Sequence, residues 1–237
     1  MNKTVDFQTI KIRCSAIGDI MTEARSKSET LGETAKKRFI EQYIIHRFDR
    51  KPAEIMSKYL EKGLGVEEDG ISLYAELQEK MFVKNEEHFS NDYITGTPDI
   101  ITGTRVDDIK SSWDIFTFYA SKTEAINKKY WWQLQGYMAL TGCKSARLVY
   151  VLVNTPTAII EAEKRKEYYK YGSPSLEHGP LLNAYLQIEE NGNYDDIPTA
   201  ERLHIFEVER DDDAIERIYD RVSDGRIWLN HTFNLTK

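Results

Sequence analysis

The sequence predicts a mixed α/β fold, with a mixed β-sheet flanked by helices and a helical N-terminal region. Apolar residues recur at helical spacing from about Ser15 to Gln78, whereas residues 93–113 and 146–154 are rich in the β-branched and aliphatic residues of strands. This order of helices and strands is typical of a mixed α/β domain. Because no internal repeat or low-complexity linker divides the chain, we expect a single domain over residues 1–237.

Helices are expected to fill the first third of the chain. Each has apolar positions three or four residues apart, and a proline or glycine stands where a helix should begin or end. The expected helices are a first one opening at Ser15, a second over residues 28–48, a third from Pro52 to a stop at Lys62 and Gly63, and a fourth over residues 66–81.

Strands are expected to dominate the next part. Residues 93–113 are typical of two short strands joined by a tight turn near Gly103. A helix should follow over residues 128–141. The nearly continuous apolar run from Ala146 is typical of a buried strand.

The last quarter combines a polar stretch with two regular elements. Glycines and prolines interrupt residues 161–200, which favours loops and short helices there. A strand should begin at Arg202. We expect Asp211 to cap a closing helix that ends near Leu229.

The composition excludes several classes of protein. Lys and Arg total 32 against 39 Asp and Glu, a formal net charge of −7, which argues against a protein that coats nucleic acid by excess positive charge. Two cysteines, Cys14 and Cys143, cannot form a four-cysteine metal site and indicate no disulfide framework. No apolar run of about 18 residues and no signal-peptide core are present, so we expect a cytoplasmic protein without a membrane span.

Charged residues gather in the expected hairpin. Side chains alternate along a strand, so Asp108 and Lys110 share one face, and a turn near Gly103 brings Asp99 beside Asp108. Paired carboxylates suit a hard cation such as Mg²⁺ or Mn²⁺, and a neighbouring ammonium can position a water for attack on phosphorus. An arbitrary D-x-K is usually a solvated hairpin, but flanking isoleucines and valine place this one in a core, where charges need partners or a metal.

Two further segments place polar groups on apolar helix faces. On a helical wheel of residues 66–81, Glu67 falls inside the apolar arc, where it must be paired, protonated or close to a metal. The alternative is a carboxylate favoured by the N-terminal end of its helix dipole. In residues 128–141, Gln133 and Tyr137 share a face with Tyr130 and can reach the site, whereas Trp131 either stacks on bases or packs in the core.

These residues together resemble the PD-(D/E)xK nuclease superfamily, specifically its RecB-like and lambda-exonuclease-like (viral recombinase) branch. The matching segments occur in the family's order over residues 63–137, about a third of the chain. They are KGLGVEEDG with the helical glutamate, GTPDI with the first aspartate, VDDIKSS with the D-x-K, and QLQGY with the glutamine and tyrosine. The resemblance implies a restriction-endonuclease-like core and Mg²⁺-dependent cleavage of DNA.

The resemblance also implies roles for single residues. Asp99 and Asp108 become ligands of one or two Mg²⁺ ions, which Mn²⁺ can replace, together with the backbone carbonyl of Ile109. Lys110 orients or activates the attacking water. Glu67 is an acidic group near the metal and a further candidate ligand.

Supporting and DNA-binding residues complete the expected site. Gln133 and Tyr137 support the metal centre in the family's pattern. The family's first helix has a serine and an arginine that contact DNA near the cleaved end, and basic and aromatic residues of the 128–141 helix can add local contacts. The expected DNA-binding residues are Ser15, Arg25, Lys128, Lys129 and Trp131.

The expected activity is that of a DNA exonuclease that digests linear double-stranded DNA in phage or prophage recombination. Relatives of this kind include enzymes that work from a 5′ end, form rings and hand the 3′ strand to a single-strand annealing protein. We therefore expect DNA ends, an annealing protein and further copies of this chain as partners. The alternatives are a structure- or site-specific endonuclease of the same superfamily and a non-catalytic DNA-binding module.

Overall fold

The computed structural model describes residues 4–51, 58–172, 175 and 178–234. Short 3-10 helices cover Phe7–Thr9 and Thr199–Arg202. The α-helices are α1 (Cys14–Ile20), α2 (Glu33–Phe48), α3 (Lys58–Gly65), α4 (Glu67–Leu77), α5 (Ile115–Thr123), α6 (Lys128–Thr141), α7 (Thr157–Lys170), α8 (Gly179–Gly192) and α9 (Asp212–Asn234). The strands are β1 (Ile12–Arg13), β2 (Phe89–Ser90), β3 (Ile94–Gly96), β4 (Ile100–Thr102), β5 (Arg105–Ser111), β6 (Ser145–Val151) and β7 (Leu203–Glu209).

Two mixed sheets form the centre of the fold. The larger has the strand order β4-β5-β6-β7, in which β5 and β6 are parallel and the two outer pairs are antiparallel. The smaller has the order β1-β3-β2, with β1 parallel and β2 antiparallel to β3. The predicted mixed α/β architecture is therefore confirmed.

Strand β5 is buried on both faces of the larger sheet. Val106 packs in a core cluster with Leu134 of α6 and with residues of α1 and α9. Ile109 points to the other side and packs with Tyr74 of α4 and with Val149. Helices therefore cover both faces, and charged side chains of β5 face a packed helix on either side.

The hairpin and the helix after it follow the sequence prediction. Gly103 has φ of +60°, the left-handed conformation that a tight turn between β4 and β5 needs. Helix α6 has the predicted bounds. Strands β6 and β7 begin within one residue of the predicted positions, and the Asp211 carboxylate accepts a 2.9 Å hydrogen bond from the Ala214 N–H, as expected of a cap.

Several predicted helix bounds are wrong. The second helix starts at Glu33 because Gly32 is its N-cap, and the fourth ends at Leu77, since Glu79 adopts a left-handed φ of 50°. The third helix continues to Gly65, past the predicted stop at Lys62 and Gly63, and its predicted start at Pro52 lies outside the described residues. The closing helix extends to Asn234.

Residues 161–200 are more helical than predicted. Two helices of 14 residues each, α7 and α8, fill much of this stretch. Four of the residues that suggested loops stand at or near their ends: Gly172 has φ of +76° just after α7, Gly179 and Pro180 occupy the first turn of α8, where proline is tolerated, and Gly192 is its last residue. Helix α5, which was not predicted, begins at a capping box between Asp114 and Thr117.

Helix α9 joins the first strand to the rest of the fold. The buried guanidinium of Arg226 donates two hydrogen bonds to the Ile10 carbonyl, at 3.0 and 2.8 Å, and one to the Asp92 carbonyl. These carbonyls precede β1 and β3, so one side chain fixes the points at which the chain enters two strands of the smaller sheet. No helix in the described part of the chain, α9 included, is long and apolar enough to cross a membrane.

Candidate active site

The hairpin of β4 and β5 brings two carboxylates together. Asp99 precedes β4, and its Oδ2 accepts a 2.7 Å hydrogen bond from the backbone N–H of Ile109 in β5. Asp108 is the neighbour of Ile109 and is almost completely buried. The predicted juxtaposition of Asp99 and Asp108 is therefore present, and it follows from the antiparallel register that pairs Ile100 with Asp107.

Crowding of the two carboxylates changes the acidity of Asp99. Burial and the neighbouring charge of Asp108 raise the pKa of Asp99 from 3.8 to about 7, against the opposing effects of Lys110 and the Ile109 N–H. Two carboxylates that share a buried site resist joint ionisation. A cation bound between them would remove that penalty.

Lys110 completes the group on the same face of β5. Its Nζ lies 2.7 Å from Asp108 Oδ2 and 5.2 Å from the centroid of the Tyr130 ring. Burial lowers the pKa of Lys110, but Asp108 and Asp99 outweigh burial and hold the pKa above its ordinary value. Lys110 is thus a cation in the metal-free protein, and it can orient a water or a phosphate by donating hydrogen bonds.

Gln133 and Tyr137 approach Asp108 from α6. The Gln133 side-chain amide donates to Asp108 Oδ1 at 3.2 Å and to the Tyr137 hydroxyl oxygen at 2.9 Å. Burial and the charge of Asp108 raise the pKa of Tyr137, so its hydroxyl stays protonated. The spacing of these residues, i and i+4 on one helix face, explains why the sequence pattern found both.

The donor set fits a hard divalent cation. Asp108 Oδ2 is fully buried and, apart from its ion pair with Lys110, accepts no hydrogen bond of ordinary geometry from the residues that the structure describes. Asp99 and Ile109 line one cavity next to Asp108, which brings carboxylate oxygens and the peptide group of Ile109 together. Oxygen ligands of this kind are those that Mg²⁺ and Mn²⁺ prefer.

Glu67 lies beside this pair but does not join it. Its side chain is half-buried at the start of α4 and lines the same cavity, as its place on the helical wheel predicted, whereas Glu68 and Asp69 are exposed. Its Oε2 lies 3.0 Å from Lys84 Nζ. Within residues 4–51, 58–172, 175 and 178–234, no three His, Cys, Asp or Glu side chains are close enough to hold one metal ion.

The cavity has a volume of about 500 Å³, within the range of small-ligand sites. Four residues already described line it: Glu67, Asp99, Ile109 and Lys110. The remaining lining residues are Lys62, Gly63, Leu64, Ser111, Trp113 and Tyr130.

The neighbouring carboxylate of Asp107 serves the fold instead. It is completely buried on the opposite face of β5, where Arg105 donates two hydrogen bonds to it at 2.7 and 2.9 Å. The Tyr74 hydroxyl of α4 donates a third at 3.0 Å. Strand alternation thus gives two consecutive aspartates different surroundings: Asp108 faces Lys110 and Gln133 of α6, and Asp107 is fully paired on the opposite face.

The predicted DNA-binding residues lie on α1, on α6 and in the segment that follows α1. Ser15 is exposed in the first turn of α1, but Arg25 lies in the segment after α1, so the two do not share a helix as the resemblance implied. Lys128 and Lys129 are exposed at the start of α6, and Lys129 Nζ is 2.6 Å from Asp19. Trp131 is half-buried against Trp132, with ring centroids 4.8 Å apart, in agreement with the core-packing alternative.

Two lysines of the cavity region were missed by the sequence reasoning. Lys84 forms an isolated bridge to β4 through Ile100 and pairs with Glu67, which no local pattern indicates. Lys62 is buried, although the sequence suggested only a helix stop. One signal was available, because Val66 four residues later is buried and residues at this spacing share a helix face.

Solved structures resemble the whole chain, although no protein-family model and no curated protein matches it. A phage-related exonuclease from Haemophilus somnus 129PT has a TM-score of 0.72 and 28% identity over 97% of each chain. An alkaline exonuclease, LHK-Exo from Laribacter hongkongensis, has a TM-score of 0.63 and 18% identity, covering 96% of this chain and 92% of its own. LHK-Exo in complex with dAMP has a TM-score of 0.62 and 17% identity, covering 97% and 96%.

The two LHK-Exo structures establish a likeness of fold. The Haemophilus protein shares both the fold and 28% of its residues with this chain. All three match the chain from its first helices to its last, well beyond the third of the sequence that contains the motifs. The resemblance predicted from those motifs is therefore confirmed: over nearly its whole length, this chain has the structure of the phage-related and alkaline, lambda-exonuclease-like exonucleases.

Proposed function

We propose that this protein is a Mg²⁺-dependent exonuclease that hydrolyses phosphodiester bonds at the ends of linear double-stranded DNA. One observation carries the proposal: Asp99 and Lys110 line one cavity of about 500 Å³, and the buried Asp108 carboxylate lies 2.7 Å from the Lys110 ammonium. The similarity of the whole chain to a phage-related exonuclease supports the same activity, since 97% of each chain is matched at 28% identity.

In this mechanism Asp99 and Asp108 would hold the metal together with the Ile109 carbonyl. A bound ion would supply Lewis-acid chemistry for the scissile phosphate and the leaving oxygen. Mg²⁺ is the expected ion and Mn²⁺ a substitute, with one or two ions bound. Glu67 supplies a further negative charge near the carboxylates, separated from them by its ion pair with Lys84.

The protein's own residues position the reactants. Lys110 orients the attacking water or a phosphate oxygen by donating hydrogen bonds from its ammonium group. Gln133 holds Asp108 by its 3.2 Å hydrogen bond, and Tyr137 fixes Gln133 in turn. Such supporting contacts keep a carboxylate in the geometry that the metal needs.

The biological setting that we propose is phage or prophage recombination in the cytoplasm. Digestion from a 5′ end would leave a 3′ single strand for an annealing protein, and several copies of the chain would surround the duplex. The relative named as phage-related supports this setting. The acidic net charge of −7 favours local contacts to DNA over a broadly basic surface.

The decisive experiment offers the purified protein linear and covalently closed circular double-stranded DNA, with Mg²⁺, with Mn²⁺ or with a chelator. The linear DNA has a label at either its 5′ or its 3′ end. We expect metal-dependent loss of linear DNA, with early release of the 5′ label and with circles spared. Lys110→Ala is the matched inactive variant.

Other outcomes would redirect the proposal. Cleavage of circles would establish an endonuclease with the same metal chemistry. Binding of DNA without cleavage under either metal would identify a non-catalytic module. Cleavage that persists in chelator would refute the metal-dependent mechanism.

A further inference from the structure

A second lysine, Lys62 of α3, lines the same cavity as Asp99 and Lys110. Only 1% of its surface is exposed, so it is among the most buried side chains of the described residues. Its Nζ donates a 2.7 Å hydrogen bond to the carbonyl of Trp113, in the segment that links β5 to α5. The rings of Trp113 and Tyr194 lie 5.8 and 5.5 Å from Nζ.

The surroundings of this ammonium do not balance its charge. An ammonium has three N–H donors, and the Trp113 carbonyl accepts one of them. Lys62 forms no ion pair with a carboxylate in the part of the chain that the structure describes; Asp114 acts on it only from a longer distance. Burial of a charge without an opposite charge is unfavourable. Such a feature is expected at a site that receives an anion from outside the protein.

The position of Lys62 in the structure indicates which anion it would bind. It lines the same cavity as Asp99, Lys110 and Tyr130. Trp113 follows Lys110 by three residues, so an extended chain places their Cα atoms at most about 11 Å apart. A strand with its scissile phosphate at Lys110 would therefore occupy the cavity that Lys62 also lines.

We propose that Lys62 binds a backbone phosphate of the DNA strand in the active-site cavity, next to the phosphate that is cleaved. This inference rests on the proposed function. Lys62 is then a second cation of the substrate site, while Trp113 and Tyr130 supply apolar walls between the two lysines. Its hydrogen bond to the Trp113 carbonyl holds the ammonium in place before DNA arrives.

The salt dependence of DNA binding tests this role, because a phosphate contact contributes to it and a purely structural lysine does not. Binding of a fluorescent duplex is measured in chelator, which prevents cleavage, at several NaCl concentrations. Lys62→Met should weaken binding about tenfold, since a hydrogen bond to a charged group is lost. The slope of log Kobs against log [NaCl] should become shallower by about 0.7–0.9, the contribution of one phosphate.

Two further variants make the result specific. Lys62→Arg retains the charge and should restore the wild-type slope. Lys36→Met removes a lysine of α2 that pairs with Glu29 and Glu33. This control variant should leave the salt slope of DNA binding unchanged. Lys62→Gln replaces Lys62→Met if the latter does not fold.

The outcomes separate this inference from the proposed function. A wild-type protein that cleaves linear DNA while Lys62→Met retains the full salt slope would overturn the role of Lys62 and leave the exonuclease intact. A wild-type protein that neither binds nor cleaves DNA would overturn both. A shallower slope in Lys62→Met, restored by Lys62→Arg, supports the phosphate contact.

Discussion

The buried ammonium of Lys62 makes the stability of the DNA-free protein depend on pH. Burial lowers the pKa of Lys62 from 10.5 to about 8, with a smaller opposing effect of Asp114. Below pH 8 the lysine is charged in both the folded and the unfolded state. Between about pH 8 and 10.5 the unfolded chain binds the proton that the folded chain has released, so the free energy of unfolding rises with pH.

The size of this effect follows from the two pKa values. For one group with a folded pKa near 8 and an unfolded pKa of 10.5, linkage gives an increase of about 1.3 kcal/mol in the free energy of unfolding between pH 7 and pH 9. Other groups titrate in the same range. The difference in the free energy of unfolding between the wild type and Lys62→Met removes their contribution, because the variant lacks only the titrating group of Lys62.

Urea unfolding of the wild type and Lys62→Met, followed by circular dichroism at pH 7, 8 and 9, measures the difference directly. We expect the stability of the wild type relative to the variant to improve by about 1.3 kcal/mol from pH 7 to pH 9. Lys36→Met, at a surface ion pair, serves as the control and should follow the wild type. Parallel curves for wild type and Lys62→Met would refute the assignment of a desolvated lysine.

Five further substitutions give testable predictions, four of them in pairs at adjacent positions. Asp108→Asn should lower kcat more than about a hundredfold with little change in the melting temperature. Asp107→Ala should instead destabilise the fold by about 3 kcal/mol, since three donors lose their buried acceptor. Nuclease assays and thermal melts of the two variants test this contrast between activity and stability. Glu67→Gln should reduce cleavage about tenfold and Glu68→Gln should not, so equal kinetic effects would contradict the helical-wheel placement. Gln133→Leu should lower kcat roughly tenfold at unchanged KM for DNA, and a change confined to KM would assign it to binding instead.

The parts of the structure that the sequence predicted well are those with a local cause. The turn at Gly103, the alternation along β5 and the i, i+4 spacing of Gln133 and Tyr137 are all set within a few residues. Because the turn of the hairpin is short, the register of β4 and β5 places Asp99 next to Asp108 and Ile109. The carboxylate pair could therefore be predicted without knowledge of the remaining fold.

The parts that were missed depend on contacts between distant segments. Lys84 meets Glu67 because its segment bridges to Ile100 of β4, and Lys62 meets Trp113 from 51 residues away. Helices α7 and α8 have glycine and proline only near their ends, so a count of these residues over 161–200 overstated the irregularity of the stretch. Position along an element, rather than composition, decides what a glycine or proline does.

The Arg226 bonds to the Ile10 and Asp92 carbonyls have a consequence for synthesis of the protein. Arg226 follows Ile10 by 216 residues, and at a translation rate of about 5–20 residues per second that interval takes on the order of 10–40 s. Until α9 emerges from the ribosome, the segments that lead into β1 and β3 lack the side chain that joins them, and β3 leads directly to Asp99. We therefore expect the smaller sheet of a nascent chain to become ordered only when translation is nearly complete.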